Sequence, residues 1–351
     1  MRGTRIRSRR GLGLLLAAGL LLTACNGDTD PTGEESEPAE ETEAPAEDES
    51  EPEAEPEDDA EGEEQAAPEV TDINIGLIPI ADVAPVPHAL AQGYFEEEGL
   101  DVTLEYGVGG AALVPALIAG DIQVGFGNYV SHILAINEGF DLSIISEGPR
   151  AVPGFSGVFA MPDSGLSAAA DLEGATVSTN TLNNVGPLAI NAVLDAEGAD
   201  ADAIEYTEVP FPEAAPTLER GDIDAAWVVE PFTTLIQDQI GAEAVIDPFS
   251  GPTDGLAIAG YAVTAEFAAS NPNTVAALQR AIQRATDDLQ DDATAREAIA
   301  GYTELDQAIL DAITLPGFVS EVDPAEIQRV ADLMIEYGLI EDGFDVTEYI
   351  H

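Results

Sequence analysis

The chain has 351 residues, 68 of them acidic against 11 basic, for a formal net charge of −57, and it contains no lysine. A surface this acidic excludes binding to nucleic acid or anionic lipid through a basic face. One cysteine, Cys25, and three histidines without metal-ligand spacing exclude a disulfide framework and leave no metal motif.

The first 25 residues carry five arginines, then the apolar run from Gly11 to Ala24, then Cys25. Charged, apolar and small residues in that order predict a secretory signal peptide, and 14 apolar residues fall short of the roughly 20 that span a bilayer. Leu22-Thr23-Ala24-Cys25 resembles a bacterial lipobox, which makes Cys25 the expected site of lipidation and places the mature protein on the extracytoplasmic face of the cell membrane. Residues 26–70 hold 21 acids and no base among Pro, Ala, Ser and Gly. That composition buries too little apolar surface to offset chain entropy, so a disordered tether is expected, spanning about 35–40 Å as a flexible coil.

From Asp72 onward short apolar runs alternate with helical stretches. INIGLIPI, LDVTLEY, IQVGFG and DLSIISEG read as strands, separated by helices at APVPHALAQGYFEEEG, GAALVPALIAG and YVSHILAINEG. The prolines and glycines of PRAVPGFSGVFAMPDSG read as a crossing to a second lobe. There ATVSTN, IEYTEVP, IDAAWVV and EAVID are expected strands, with helices at VGPLAINAVLDAEG, PEAAPTLERG and PFTTLIQDQIG. DPFSGPTDG reads as the return crossing, LAIAGYAVTAEF as a strand re-entering the first lobe, and Pro272–Tyr337 as closing helices. The expected fold class is α/β, with two doubly wound lobes joined by a two-segment hinge: residues 71–150 with 256–351 form lobe 1, and 151–255 form lobe 2. GDIQVGFGN at 120–128 and GDIDAAWVV at 221–229 suggest that the lobes are similarly built.

Ligands of open α/β sheets lie outside the carboxyl ends of the strands, so the cleft between the lobes is the expected site. In lobe 1 the candidates are Asp82, in the loop after the first strand, and Gly109 and Gly110, where small residues open a helix and a ligand can approach the backbone. Asn128 and Tyr129 follow the third strand as hydrogen bonder and aromatic wall. In lobe 2, Thr179, Asn180, Asn183 and Asn184 crowd a strand end; Asn183 and Asn184 are assigned to the ligand, with helix capping as the alternative for one of the group. Phe211 is a candidate wall. Trp227, the only tryptophan, is assigned to the cleft with core packing as its alternative, and Glu230 is expected at the cleft mouth, accepting a ligand N–H or pairing with a cation.

The phrases GYFEEEGLDVTLEYGVGGAALVPALIAGDIQVGFGN, DLEGATVSTN, LERGDIDAAWVVEPF and YAVTAEFAASNPNTVAALQRAIQRA resemble the substrate-binding proteins of ABC importers in the nitrate, sulfonate, taurine and thiamine-pyrimidine group. The resemblance implies a type II periplasmic-binding fold and capture of a small solute for delivery to an ABC permease. No enzymatic activity is expected, because no nucleophile motif such as G-x-S-x-G appears and export with lipidation argues against an enzyme on this fold; a monomer without cofactor or metal, reaching the membrane through its lipid anchor, is expected. Thiamine-pyrimidine binders carry a tryptophan, an asparagine and a histidine in the first strand-to-helix loop. Here ADVAPVPH has only His88, and an oxyanion would ask for positive charge, for which Arg150 at the crossing is the candidate. Oxyanion and pyrimidine ligands therefore both stay open, as do a signalling receptor or a secreted enzyme on the same fold.

Overall fold

The computed structural model describes residues 66–351. Cys25, the signal peptide and residues 26–65 of the acidic segment lie outside the described residues. Val70, at the end of the expected tether, donates its N–H to Thr274 Oγ1 at 3.0 Å. The Glu69 carboxylate accepts the backbone N–H groups of Asn273 and Thr274 at 3.1 and 2.9 Å, which open a long helix of the closing segment.

The first half of the chain runs β1 (Asp72–Leu77), α1 (Pro85–Gln92), α2 (Tyr94–Glu97), β2 (Asp101–Tyr106), α3 (Gly110–Ala119), β3 (Val124–Asn128), α4 (Tyr129–Asn137) and β4 (Leu142–Glu147). The single helix expected over APVPHALAQGYFEEEG is two, because Gly93 turns into the left-handed region at φ 77° and ends α1. After the short β5 (Pro149–Arg150) come β6 (Ser156–Ala160), β7 (Thr176–Thr179), α5 (Val185–Glu197), β8 (Glu205–Glu208), α6 (Phe211–Glu219), β9 (Ala225–Val229), α7 (Phe232–Ile240) and β10 (Glu243–Ile246). The chain returns through β11 (Ala259–Thr264) to α8 (Ala265–Ser270), α9 (Pro272–Asp288), α10 (Asp292–Ala300), α11 (Gln307–Ala312), β12 (Gly317–Phe318) and α12 (Pro324–Glu336).

Two five-stranded sheets result, in the orders β2-β1-β3-β11-β4 and β10-β6-β9-β7-β8. Read from opposite edges, they share one plan. β1 pairs in parallel with β2 and β3, as β7 does with β8 and β9. One antiparallel strand, β11 or β6, then lies between the third strand and the last. β6 is the strand that the expected crossing concealed. It lies within PRAVPGFSGVFAMPDSG, where Pro153, Gly154 and Gly157 read as loop, yet all five of its residues are buried between β10 and β9. The paired GDI phrases make equivalent turns: Gly120 and Gly221 take φ 79° and 72°, leading into β3 and β9.

Each sheet with its covering helices is here called a lobe. The two segments between lobes run side by side, with Ala151 N–H donating to Leu256 O at 2.9 Å and Ile258 N–H to Pro149 O at 3.1 Å. β12 adds to the ribbon by pairing with β5. The Arg150 guanidinium is held here by Glu147 at 2.9 Å and Asp323 at 3.5 Å.

Close backbone approach packs α3 onto β3. A methyl group on Gly110 would stand 2.7 Å from Gly127 Cα, an atom that cannot move aside. Gly110→Ala is expected to cost about 1–3 kcal/mol of stability through this overpacking, measured as a lower urea midpoint with unchanged slope.

Candidate functional site

A cavity lies between the two sheets at the carboxyl ends of their parallel strands. Lobe 1 lines it with Ile78, Ile80 and Asp82 after β1, Phe126 and Asn128 at the end of β3, and Ile258 and Ala259 where antiparallel β11 begins. Lobe 2 lines it with Asn180, Asn184 and Val185 around the start of α5, Phe211 at the start of α6, and Trp227 and Val229 on β9. The centre of a water-sized sphere has about 30 Å³ to move in, room for about two water molecules. Pockets for small organic ligands occupy roughly 300–1,000 Å³, so this cleft is closed.

Hydrogen bonds join the lobes around it, among them Ala81 N–H of lobe 1 to Glu230 O of lobe 2 at 3.0 Å. Asn180 Nδ2 of lobe 2 donates to Val108 O of lobe 1 at 3.1 Å. Ser131 Oγ of lobe 1 donates to Asn183 O at 2.7 Å, and Tyr337 OH on the closing segment donates to Asp195 on α5 at 2.8 Å.

Five of the expected site residues meet at the cavity: Asp82, Asn128, Asn184, Phe211 and Trp227. Asn128 and Asn184 also cap helices, with Asn128 Oδ1 accepting Ser131 N–H at 3.0 Å and Asn184 Oδ1 accepting Gly186 N–H at 3.5 Å. Trp227 serves core and site together. It is 3% exposed, its indole N–H donates to Ser156 Oγ at 2.8 Å, one part of the ring packs on Gly186, and Phe211 meets it edge-on with centroids 5.5 Å apart.

The other five expected residues do not line the cavity. Gly109 packs on Asn180 and Thr181 across the cleft, so its lack of a side chain serves the approach of the lobes. Gly110 serves helix packing. The Tyr129 ring turns into lobe 1, where it is fully buried against Gly260. Asn183 is exposed and contributes its carbonyl to Ser131. Glu230, expected at the mouth, is buried; its carboxylate accepts Thr234 N–H and Oγ1–H at 3.2 and 2.9 Å and Thr314 N–H at 3.0 Å. Burial pushes its pKa up although those donors pull it down, and they leave it no free oxygen for a cation. Ile78, Ile80, Phe126, Val229, Ile258 and Ala259 were not singled out from sequence, because apolar residues at strand ends look like any core.

Asp82 is the carboxylate that lines the cavity. It is 2% exposed, its Oδ1 has no hydrogen-bond partner, and desolvation pushes its pKa from 3.8 up to about 7. The titratable groups coupled to it, Tyr261 and Tyr302, are tyrosines whose ionisation burial strongly suppresses. Among the described residues no arginine or histidine lines the cavity. His132, buried within lobe 1, is held neutral by desolvation, with its pKa lowered to about 4.

A larger groove, about 650 Å³, opens on lobe 2 beside Ala175 and Asp224, at the amino ends of β7 and β9. It is at the wrong end of the sheet for a ligand and is lined by solvated acids. Among the described residues no group of three or more His, Cys, Asp or Glu could hold a metal ion, and no helix is long and apolar enough to cross a membrane.

Solved structures share this architecture. The alkanesulfonate-binding protein SsuA from Xanthomonas axonopodis pv. citri, bound to MOPS, superposes with a TM-score of 0.69 at 17% identity, covering 80% of this chain and 98% of that one. The periplasmic nitrate-binding protein NrtA from Synechocystis PCC 6803 gives 0.67 at 15%, covering 82% and 87%. The desulfurization enzyme DSZB gives 0.60 at 14%, covering 80% and 96%. At these identities the likeness establishes the periplasmic-binding fold. No curated protein matches the sequence. A family profile described as NMT1/THI5 like matches residues 80–295, well over half of the chain, and the protein therefore belongs to the NMT1/THI5-like family.

Proposed function

We propose that the protein is a lipid-anchored, extracytoplasmic solute-binding protein that closes two lobes on a small organic solute and delivers it to an ABC importer. The observation that carries this function is a cavity lined from both lobes at the carboxyl ends of their strands, beside a hydrogen-bonded two-segment hinge. A cleft that now has room for about two waters admits a solute only when the lobes part, so binding and closure are one event. SsuA and NrtA, by their names, bind alkanesulfonate and nitrate, which supports capture rather than chemistry. The order of the first 25 residues supports export and attachment at Cys25. DSZB is an enzyme on the same fold, but here the polar side chains at the cavity are one carboxylate and three asparagines, with no base beside a nucleophile.

Two outcomes test this function. Asn180→Ala removes a cross-cleft bond without entering the hinge, and is expected to raise the solute dissociation constant about 3- to 10-fold, mainly through faster release. Calorimetry and stopped-flow Trp227 fluorescence measure it; unchanged affinity with unchanged release would count against closure as the binding step. The second outcome concerns pH. Asp82 holds its proton more tightly in the closed cleft, where its pKa is about 7, than when opened to water near its ordinary 3.8. Closure without solute is therefore favoured at low pH and loses on the order of 3 kcal/mol as pH rises from 5 to 8. Small-angle scattering should show the solute-free protein expanding over that range, and Asp82→Asn should abolish the expansion.

A further inference from the structure

We infer that the solute carries a protonated amine or amidine, whose cationic nitrogen pairs with the Asp82 carboxylate among the rings of Phe126, Phe211 and Trp227. This inference rests on the solute-binding function proposed above and names its ligand class.

Asp82 Oδ1 is a buried acceptor that lines the cavity and accepts nothing from the protein. A carboxylate there needs a donor, and an ionised one needs a cation. Among the described residues no cation answers it: each of the six arginines is engaged elsewhere, five with carboxylates and Arg296 with the carbonyls of Leu310 and Ile313, while His88 pairs with Asp288 and His132 is held neutral within lobe 1. An ammonium or amidinium group on the solute fills the deficit, and aromatic rings around it add attraction for a cation.

An oxyanion finds the opposite environment. Of the helix N-termini that abut the cavity, those of α4 and α5 are already capped by Asn128 and Asn184, and that of α6 has no N–H at Pro212, turns the Glu213 N–H onto Pro210 O at 2.8 Å and carries the acidic Glu213 in its first turn. The amide donors of Asn180 and Asn184 are directed to Val108 O, to Thr181 Oγ1 and to the Asn180 side chain. A sulfonate or nitrate would thus meet few free N–H groups and a buried carboxylate of its own sign. The alkanesulfonate and nitrate named for the similar structures do not carry over to this lining.

Isothermal titration of the full chain in detergent decides the matter, with ethanolamine, putrescine, benzylamine and benzamidine set against ethanesulfonate, benzenesulfonate and nitrate. At least one cation is expected to bind, more tightly as pH rises through about 7 and Asp82 ionises. Asp82→Asn, which preserves the fold's shape, should weaken it roughly 10- to 100-fold and remove that pH dependence. Failure of the whole cation series overturns the inference, as does an anion that binds Asp82→Asn at least as tightly as the unaltered chain. Scattering on the same samples separates the two levels: an anion that closes the lobes refutes the amine class and leaves solute binding intact, whereas no closure with any probe counts against both.

Discussion

Two backbone hydrogen bonds between the crossing segments, Ala151 to Leu256 and Pro149 to Ile258, set the geometry on which the rest depends. They bring both crossings into one ribbon. From that ribbon β6 enters the second sheet and β11 the first, each as the antiparallel strand beside a β3 or β9 that arrived by a parallel connection. The carboxyl ends of the parallel strands therefore face a common cleft, and the proposed rotation about the ribbon would open it without breaking either sheet. Chains of well-packed residues on both sides make that rotation one of rigid bodies.

Most of this plan was legible in the residues, because period and punctuation report local structure directly. The GDI phrases, the glycine-closed helices and the strands buried on both faces followed from that. β6 did not, since five small and apolar residues between prolines and glycines carry no period, and only pairing with β9 and β10 makes them a strand. At the site, position along the strand was readable and side-chain direction was not. Asn128 and Tyr129 are neighbours, yet one lines the cavity and the other turns into lobe 1, a choice made by register and helix entry. Glu230 shows the same limit: it stands at a strand end, but Thr314, over eighty positions away, turns its carboxylate inward.

The acids of this chain divide by environment rather than number. Among the described residues nearly all are solvated, where screening at ordinary ionic strength confines each to about 8–10 Å. Glu147 and Glu230 are buried but answered by donors. Among the described acids Asp82 alone is buried with an unanswered oxygen, so one residue in a sea of like charge becomes chemically distinct. In this fold the same carboxylate that would attract a cation also resists closing without one, which couples recognition to motion through a single group.

The placement of β11 also bears on how the chain is made. The second sheet is built wholly from residues 156–246, a continuous stretch, whereas the first needs β11, from 259–264, wedged between β3 and β4. A chain emerging amino end first can therefore complete the inserted lobe while the surrounding one still holds two unpaired strand edges. Biogenesis runs from the inside of the sequence outward, and the outer lobe is the stage at which a nascent molecule is most exposed to wrong partners.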